Sequence, residues 1–478
     1  MKIDFIKITS LIEKTSPLLA MLAVLILIAK SLGSVARWDL LDQIAMADSY
    51  LAGGAFYPSM DADMPHGVSV YFPGVALISA AVGSILGDYY LVEIMLFIAC
   101  IFVCLFIAIQ PRIINCILDI NCSFNDILPL AIIVSFTLCP DWLAYASEFK
   151  PDTIAVTLGL LGLIIAGFLR QHNNYMSTVL GAILCGVALI FKQQYIAFSI
   201  GLLGFCLFFH NRVRLVFALV LLFTVMGITY SLFNTVDPWF WSVTVLMDDG
   251  FIQITHVIKD NMHTFLTLLY LFIFYVVIYE SKVKTSFIGF SKEIEGAKVF
   301  FQNPWGWAIL PLVLADFAGA LKVGGNSGNT QAGIILLIPI IYFMTIKFER
   351  WVILAFAWLA ILSSIFTIYS GPKNYMEAYK LRNFVETSLV VKPSLVLTGS
   401  DVYFASRIYS KRAKLVNYWT LSLRDNTNVY KSLPNILATI SPDLIVVENW
   451  PDNRAAILKD TRYKLKFENT VGLVATLN

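Results

Sequence analysis

The chain has 478 residues, of which 58% are hydrophobic and 14% charged, and its formal net charge is +2. Soluble domains carry about 25% charged residues, so this composition excludes a soluble globular protein and predicts a polytopic α-helical membrane protein. That net charge says nothing about nucleic acid, but the sequence has no basic stripe interleaved with aromatic residues of the kind a nucleic-acid groove needs, so no nucleic-acid partner is expected.

The opening MKIDFIKITSLIEKTS places Lys2, Lys7 and Lys14 ahead of the first apolar run. No small-residue cleavage site follows that run, so it reads as an uncleaved first span with a cytoplasmic N-terminus. Runs of about 20 predominantly apolar residues fall near 17–36, 90–110, 127–141, 152–169, 176–192, 195–209, 214–233, 261–279, 304–321, 331–346 and 350–369, giving about eleven transmembrane helices. The seven cysteines (100, 104, 116, 122, 139, 185 and 206) all lie in or beside these runs. They read as packed thiols rather than as disulfides or metal ligands.

A further apolar segment, 70–87, decides the topology. Short cytoplasmic loops concentrate Lys and Arg, and the basic turns at Arg112, Arg170, Arg212/Arg214, Lys282/Lys284/Lys292 and Lys347/Arg350 share one face only if 70–87 does not cross. It is therefore expected to be re-entrant or juxtamembrane, with residues 37–69 forming a first outer loop.

That loop carries five aspartates, Asp39, Asp42, Asp48, Asp61 and Asp63, against one arginine, Arg37. A helix over 38–52 would put Asp39 and Asp42 on one face, at i and i+3. Trp38, Leu41, Ala45 and Leu51 would mark much of the other face, lying on the membrane. Two carboxylates so held suit a general base or ligands for a divalent cation. The plain alternative is a solvated loop with Asp39 favouring a helix dipole. His66 is the histidine nearest this cluster.

Three further polar elements fall on the same predicted face. Glu148-Phe-Lys150-Pro-Asp152 precedes a span: Pro151 and Asp152 suit a helix start, while Glu148 and Lys150 are charges at a depth where charges pair or face a cavity. Lys192-Gln193-Gln194 follows another span, where a lysine either snorkels to the headgroups or meets a lipid phosphate flanked by two amides. Lys322-Val-Gly-Gly-Asn326-Ser-Gly-Asn329-Thr is a glycine/asparagine loop able to cradle an anion with backbone N–H groups, or simply a turn and a helix cap. It lacks the GxxxxGK[ST] pattern of an ATP-binding loop.

The apolar pattern stops near Tyr369, and GPKN (371–374) marks a boundary. Residues 1–370 read as the transmembrane module and 371–478 as a small, basic, soluble α/β domain on the outer face. SLVLTG (394–399) and DLIVVE (443–448) are its expected strands, with VGLVATL (471–477) as a third.

In the order of these elements the sequence resembles the GT-C superfamily of membrane glycosyltransferases, whose donors are polyprenyl-phosphate sugars. The likeness is greatest to the branch of protein mannosyltransferases and aminoarabinose transferases. An Asp-bearing first outer loop runs into Gly-Gly-x-x-Tyr-Pro (53–58) and Tyr71-Phe-Pro-Gly74. Lys-Pro-Asp (150–152), Lys-Gln-Gln (192–194), the Gly/Asn loop and a soluble tail follow. One departure is the single proline of Tyr-Phe-Pro-Gly, where many relatives have two.

The resemblance implies an inverting transfer from a polyprenyl-phosphate sugar to a cell-envelope glycan or lipid such as lipopolysaccharide. Asp42, and after it Asp39, would be the base. Lys192, Lys150 and Lys322 would bind the donor phosphate. Gln193, Gln194, Glu148, Asn326, Asn329, His66 and Tyr71 would meet substrate. No cofactor is required, although Asp61 and Asp63 leave a divalent cation open. The expected location is a bacterial inner membrane with a periplasmic C-terminal domain. Two other readings are a flippase for a lipid-linked saccharide and an O-antigen polymerase or ligase. Transporters place charges and broken helices at mid-membrane, whereas here the charges gather at one face.

Overall fold

The computed structural model describes residues 15–33, 44, 46–48, 50–51, 74–86, 151–168, 175–208, 212–236, 310–312, 314–315, 358–359, 361–362, 364–388, 393–399, 402–409, 413–417 and 432–478. The part ahead of the C-terminal sheet is helical among the described residues: α1 (Ser16–Gly33), α2 (Gly74–Leu86), α3 (Pro151–Phe168), α4 (Tyr175–Leu189), α5 (Ile196–Phe208), α6 (Arg212–Val236) and α7 (Thr367–Asn383). Among the described residues one helix is both long and apolar enough to cross a membrane by itself, in the window Arg212–Thr229; Ile154–Ala166, Tyr175–Leu189 and Ile196–Leu207 are shorter apolar helices.

Helix α4 is the hub of a four-helix group with α3, α5 and α6. Its buried positions are mostly small: Ser177, Thr178, Gly181, Ala182, Cys185, Gly186 and Ala188. Hydrophobicity does not drive helices together in lipid, so close backbone approach and dispersion must do it, and small residues permit that approach. A Cβ on Gly162 would lie 2.8 Å from the Gly181 carbonyl, and one on Gly181 the same distance from the Gly162 carbonyl. Gly159 faces the Phe198 ring of α5, and Gly186 faces Val225 of α6. Cys185 and Cys206 are buried thiols, as their place in the apolar runs predicts; the other five cysteines lie outside the described residues.

Helix α6 has the opposite character. Val213, Val216, Phe217, Val220, Phe223 and Ile228 point outward, as a lipid-facing surface requires. Its hydroxyls are satisfied within the helix: Thr224 donates to the Val220 carbonyl and Thr229 to the Val225 carbonyl, each at 2.7 Å. In lipid no water is present to accept them.

The C-terminal unit is a five-stranded sheet in the order β2-β1-β3-β5-β4, with β1 Leu395–Thr398, β2 Lys414–Asn417, β3 Leu444–Glu448, β4 Tyr463–Glu468 and β5 Gly472–Leu477. Strands β2, β1 and β3 are parallel, and β5 and β4 add to them antiparallel. All five residues of β3 are buried, which is why LIVVE reads as an unbroken apolar run rather than an alternation. Helices α9 (Leu433–Thr439) and α10 (Pro451–Lys459) cover one face, packing Leu433, Ile436, Leu437, Ala456 and Ile457 against Leu397, Ile445, Val447 and Leu473. The short α8 (Tyr403–Ser406) and the end of α7 lie on the other face, where Leu381 and Val402 close over Gly472.

Helix α7 joins the two parts. It runs through Gly371-Pro372 without a break and packs along α1, where the Gly371 Cα meets the Ala29 carbonyl so closely that no side chain fits. Beyond the membrane it holds the sheet through a Phe384–Phe467 stack, with centroids 4.7 Å apart, and through Asn469, whose amide donates to the Glu377 carbonyl at 2.8 Å. Gly371→Leu is expected to separate α1 from α7 and to destabilise the protein by about 1–3 kcal/mol, read as a lower unfolding temperature of the full chain in detergent.

At the entry to the sheet, one carboxylate oxygen of Asp443 accepts from the Ser394 hydroxyl (2.6 Å), the Ser394 amide (2.7 Å) and the Leu395 amide (3.0 Å). The hydroxyl bond, with the two amide bonds behind it, holds the Asp443 carboxyl below the usual carboxylate range. Stability from this clamp is therefore complete above the unfolded-state pKa of about 3.9 and is lost as pH falls through the lower folded value. Asp443→Ala is expected to cost about 1–2 kcal/mol at pH 7, and its deficit relative to wild type should shrink as unfolding is followed down toward pH 3.

Candidate functional site

Antiparallel packing of α3 on α4 fixes which ends of the helices meet. The Cys185 thiol donates to the Gly159 carbonyl at 3.7 Å, and Gly162 abuts Gly181. Eight residues back from Gly159 and eight on from Cys185 place Pro151, the start of α3, level with Gln193. Helix α3 indeed touches the 3₁₀ turn Gln193–Tyr195. Helix α5 begins directly after that turn, at Ile196.

Helix α2 begins at the same corner. The Gly74 amide, last residue of Tyr-Phe-Pro-Gly, donates to the Ile190 carbonyl at 2.9 Å. A Cβ on Gly74 would lie 2.7 Å from the Phe191 ring and 2.8 Å from that carbonyl, so the approach requires glycine. Three helix N-termini, those of α2, α3 and α5, thus gather around the turn 190–195.

Lys192 sits in this turn and is only 5% exposed. Its carbonyl accepts the Tyr195 amide at 3.1 Å, and Tyr195 and Phe198 behind it are fully packed, with centroids 5.8 Å apart. The C-terminal dipole of α4 favours a cation at this point. Helix N-termini present unpaired N–H groups and partial positive charge. A buried lysine beside three of them is an electrostatic environment for an anion, and phosphate is the anion such helix ends bind best.

The opposite end of the bundle is different. Arg214 lies over the Tyr175 ring at 5.6 Å, where α6 begins beside the start of α4. Lys192 and Arg214 thus mark opposite ends of one helix, as the distribution of basic turns predicts.

A second cluster involves the first loop. Residues 44, 46–48, 50 and 51 are helical, in line with the expected loop helix. Ile44, Met46 and Ala47 are buried, while Tyr50 and Leu51 face outward. Asp48, 8% exposed, receives Arg407 in a two-pronged pair, Nε to Oδ2 at 2.8 Å and Nη2 to Oδ1 at 3.1 Å. The Tyr403 hydroxyl adds a third hydrogen bond at 3.0 Å. Thr398 at the end of β1 shares a 2.6 Å hydrogen bond with Ser406, tying α8 to the sheet. Glu448 at the end of β3 is buried against Gly399, whose missing side chain leaves room for the carboxylate. The connection that follows the carboxyl end of β1 therefore carries the residues that hold Asp48.

Of the predicted site residues, Lys192 and Gln194 are described with their side chains and Gln193 by its backbone; Gln194 is half-buried. Asp39, Asp42, Asp61, Asp63, His66, Tyr71, Glu148, Lys150, Lys322, Asn326 and Asn329 lie outside the described residues. The structure adds Asp48, Tyr403 and Arg407. Asp48 was visible in the sequence only as one of five loop aspartates, and its partners are 355 and 359 residues away.

No protein-family model matches the sequence, and no curated protein is similar to it by sequence. The oligosaccharyltransferase of Archaeoglobus fulgidus, in complex with zinc and sulfate, superposes with a TM-score of 0.50 at 12% identity, over 97% of this chain and 73% of that one. The chain therefore shares the fold of that oligosaccharyltransferase. ArnT from Cupriavidus metallidurans bound to undecaprenyl phosphate gives a TM-score of 0.48 at 10% identity, over 96% of this chain and 97% of that one. AglB from Archaeoglobus fulgidus, in complex with an inhibitory peptide and a dolichol-phosphate, gives 0.45 at 12%, over 96% and 74%.

Gly74→Val is expected to push Phe191 aside and break the Gly74–Ile190 contact. It should lower the unfolding temperature by several degrees, about 1–3 kcal/mol, whereas Gly227→Val, at a position with open space around it, should leave that temperature unchanged.

Proposed function

We propose that the chain is an inverting glycosyltransferase that moves a sugar from a polyprenyl-phosphate donor to a cell-envelope acceptor such as lipopolysaccharide, on the outer face of a bacterial inner membrane. The observation that carries this reading is the buried Lys192 ringed by three helix N-termini at one end of an apolar bundle. That end suits a phosphate carried on a lipid, because the chain of the lipid can stay in the bilayer while its headgroup enters the charged corner.

The topology supports the same picture. Asp48 follows α1 and pairs with Arg407 beyond α7, so the first loop and the soluble domain share a face. An even number of crossings then separates α1 from the soluble domain, which agrees with ten spans there and with 70–87 not crossing.

In this reading Asp42, or Asp39 beside it, takes the proton of the acceptor hydroxyl. The oxygen attacks the anomeric carbon from the face opposite the phosphate. The bond from that carbon to the phosphate oxygen breaks, the lipid phosphate leaves with the bonding pair, and the anomeric configuration inverts. Lys192 and the helix ends of α2, α3 and α5 stabilise the negative charge gathering on the leaving group. Lys150 precedes the first residue of α3 and adds a second cation by its place in the chain. Asp61 and Asp63 would hold a divalent cation if one assists.

The test is transfer by the purified protein in detergent, given a panel of undecaprenyl-phosphate sugars and envelope acceptors. Asp42→Asn should reduce transfer by at least a hundredfold with undecaprenyl phosphate affinity unchanged. Lys192→Met should weaken that affinity by about tenfold or more, the loss of one charge-assisted bond. Full transfer by both Asp39→Asn and Asp42→Asn would remove the base, and unchanged affinity in Lys192→Met would remove the phosphate site.

A further inference from the structure

We infer that Arg407 and Tyr403 of the soluble domain are positioning residues for the reacting loop, acting through Asp48. This rests on the reading of the first loop as the carrier of the base. Asp48 is the loop aspartate among the described residues, and its carboxylate accepts three hydrogen bonds from the soluble domain. Asp48 is buried and Arg407 mostly so, with side chains 8% and 11% exposed.

A buried pair of this kind contributes little net stability, because desolvation offsets most of the attraction. Its best-attested use is to fix a register. The geometry here fits that use. A bidentate guanidinium–carboxylate pair tolerates little rotation, and one residue of slip in a helix turns a side chain by about 100°. The Asp48 carboxylate would then leave both Arg407 and Tyr403.

The anchor on the other side is rigid. Tyr403 is fully buried, and Ser406 is fastened to Thr398 of the central strand β1. A linkage therefore runs from the sheet through α8 to the loop helix. In the helix expected over 38–52, Asp42 and Asp39 stand six and nine residues before Asp48, about 9 and 14 Å along its axis. Fixing the rotation at Asp48 fixes the face on which they stand. The soluble domain then acts as a brace for the loop, and removing the brace should slow the chemical step without weakening the hold on the lipid phosphate.

The experiment compares wild type, Asp48→Asn, Arg407→Gln and the double variant, all as full chains in detergent. Hydrogen–deuterium exchange is followed in the peptide covering residues 39–51, together with undecaprenyl phosphate affinity and the kcat of transfer from the undecaprenyl-phosphate sugar found in the panel. Each single variant should raise exchange in 39–51 at least tenfold and lower kcat at least tenfold, with undecaprenyl phosphate affinity within twofold of wild type. The double variant should be no worse than the worse single one, because no charge is left buried alone. Tyr403→Phe removes one hydrogen bond at nearly constant volume and should raise exchange by a smaller factor of about three. It keeps the test open if the charge variants fold poorly.

Unchanged exchange in these variants, strictly additive losses, or undecaprenyl phosphate affinity falling in step with kcat would each overturn the brace. The two readings fail separately. Transfer that persists in both Asp39→Asn and Asp42→Asn removes the base while the exchange results still stand. An inactive Asp42→Asn beside a fully active Asp48→Asn keeps the base and removes the brace.

Discussion

Taking an ammonium group out of water costs several kcal/mol unless its charge is compensated, and Lys192 is 5% exposed at the end of an apolar helix. The cost is tolerable only where the surroundings are built for charge. The turn 190–195 leaves α4 with its negative dipole end toward the lysine, which favours the cation, while the three helix starts beside it carry positive partial charge and favour an anion there. The glycine contacts of α3 and α4 matter because they bring those helix ends level. Gly162 against Gly181 sets the register of α3, and Gly74 against Phe191 sets the entry of α2. Packing in the apolar part thus determines the electrostatics at its edge.

In the proposed reading, donor binding and chemistry fall to different parts of the chain. Lys192 lies on the helical bundle, whereas Asp48 of the first loop is held by Arg407 and Tyr403 of the soluble domain. The proposed phosphate site would then rest on helices and the proposed base on a braced loop. Arg407 and Tyr403 follow the carboxyl end of β1, the edge at which open α/β sheets ordinarily place their functional residues.

Much of this was legible in the sequence, for identifiable reasons. The strands at 395–398, 444–448 and 472–477 were expected because buried β-branched runs between turns have no other comfortable conformation. The basic turns foretold that Lys192 and Arg214 mark opposite ends of α4. Two strands escaped. Lys414–Asn417 is a four-residue edge strand, too short to show a period. Tyr463–Glu468 alternates lysine with apolar residues, which reads as polar chain until a neighbour explains it as a charged edge. The start of α3 and the Lys192 turn were individually visible, but their meeting was not, since it depends on the antiparallel register of α3 and α4. Asp48 looked like its neighbours in the loop. Its difference from them lies wholly in Arg407 and Tyr403, which only the tertiary fold brings to it.

The most direct measurement of the central claim is an experimental map of the protein in a lipid nanodisc with undecaprenyl phosphate bound. The account predicts the phosphate within about 4 Å of the Lys192 ammonium, at the meeting of the N-termini of α2, α3 and α5, with the first loop closing over it. A phosphate bound at the Arg214 end of the bundle, or away from Lys192 altogether, would contradict it.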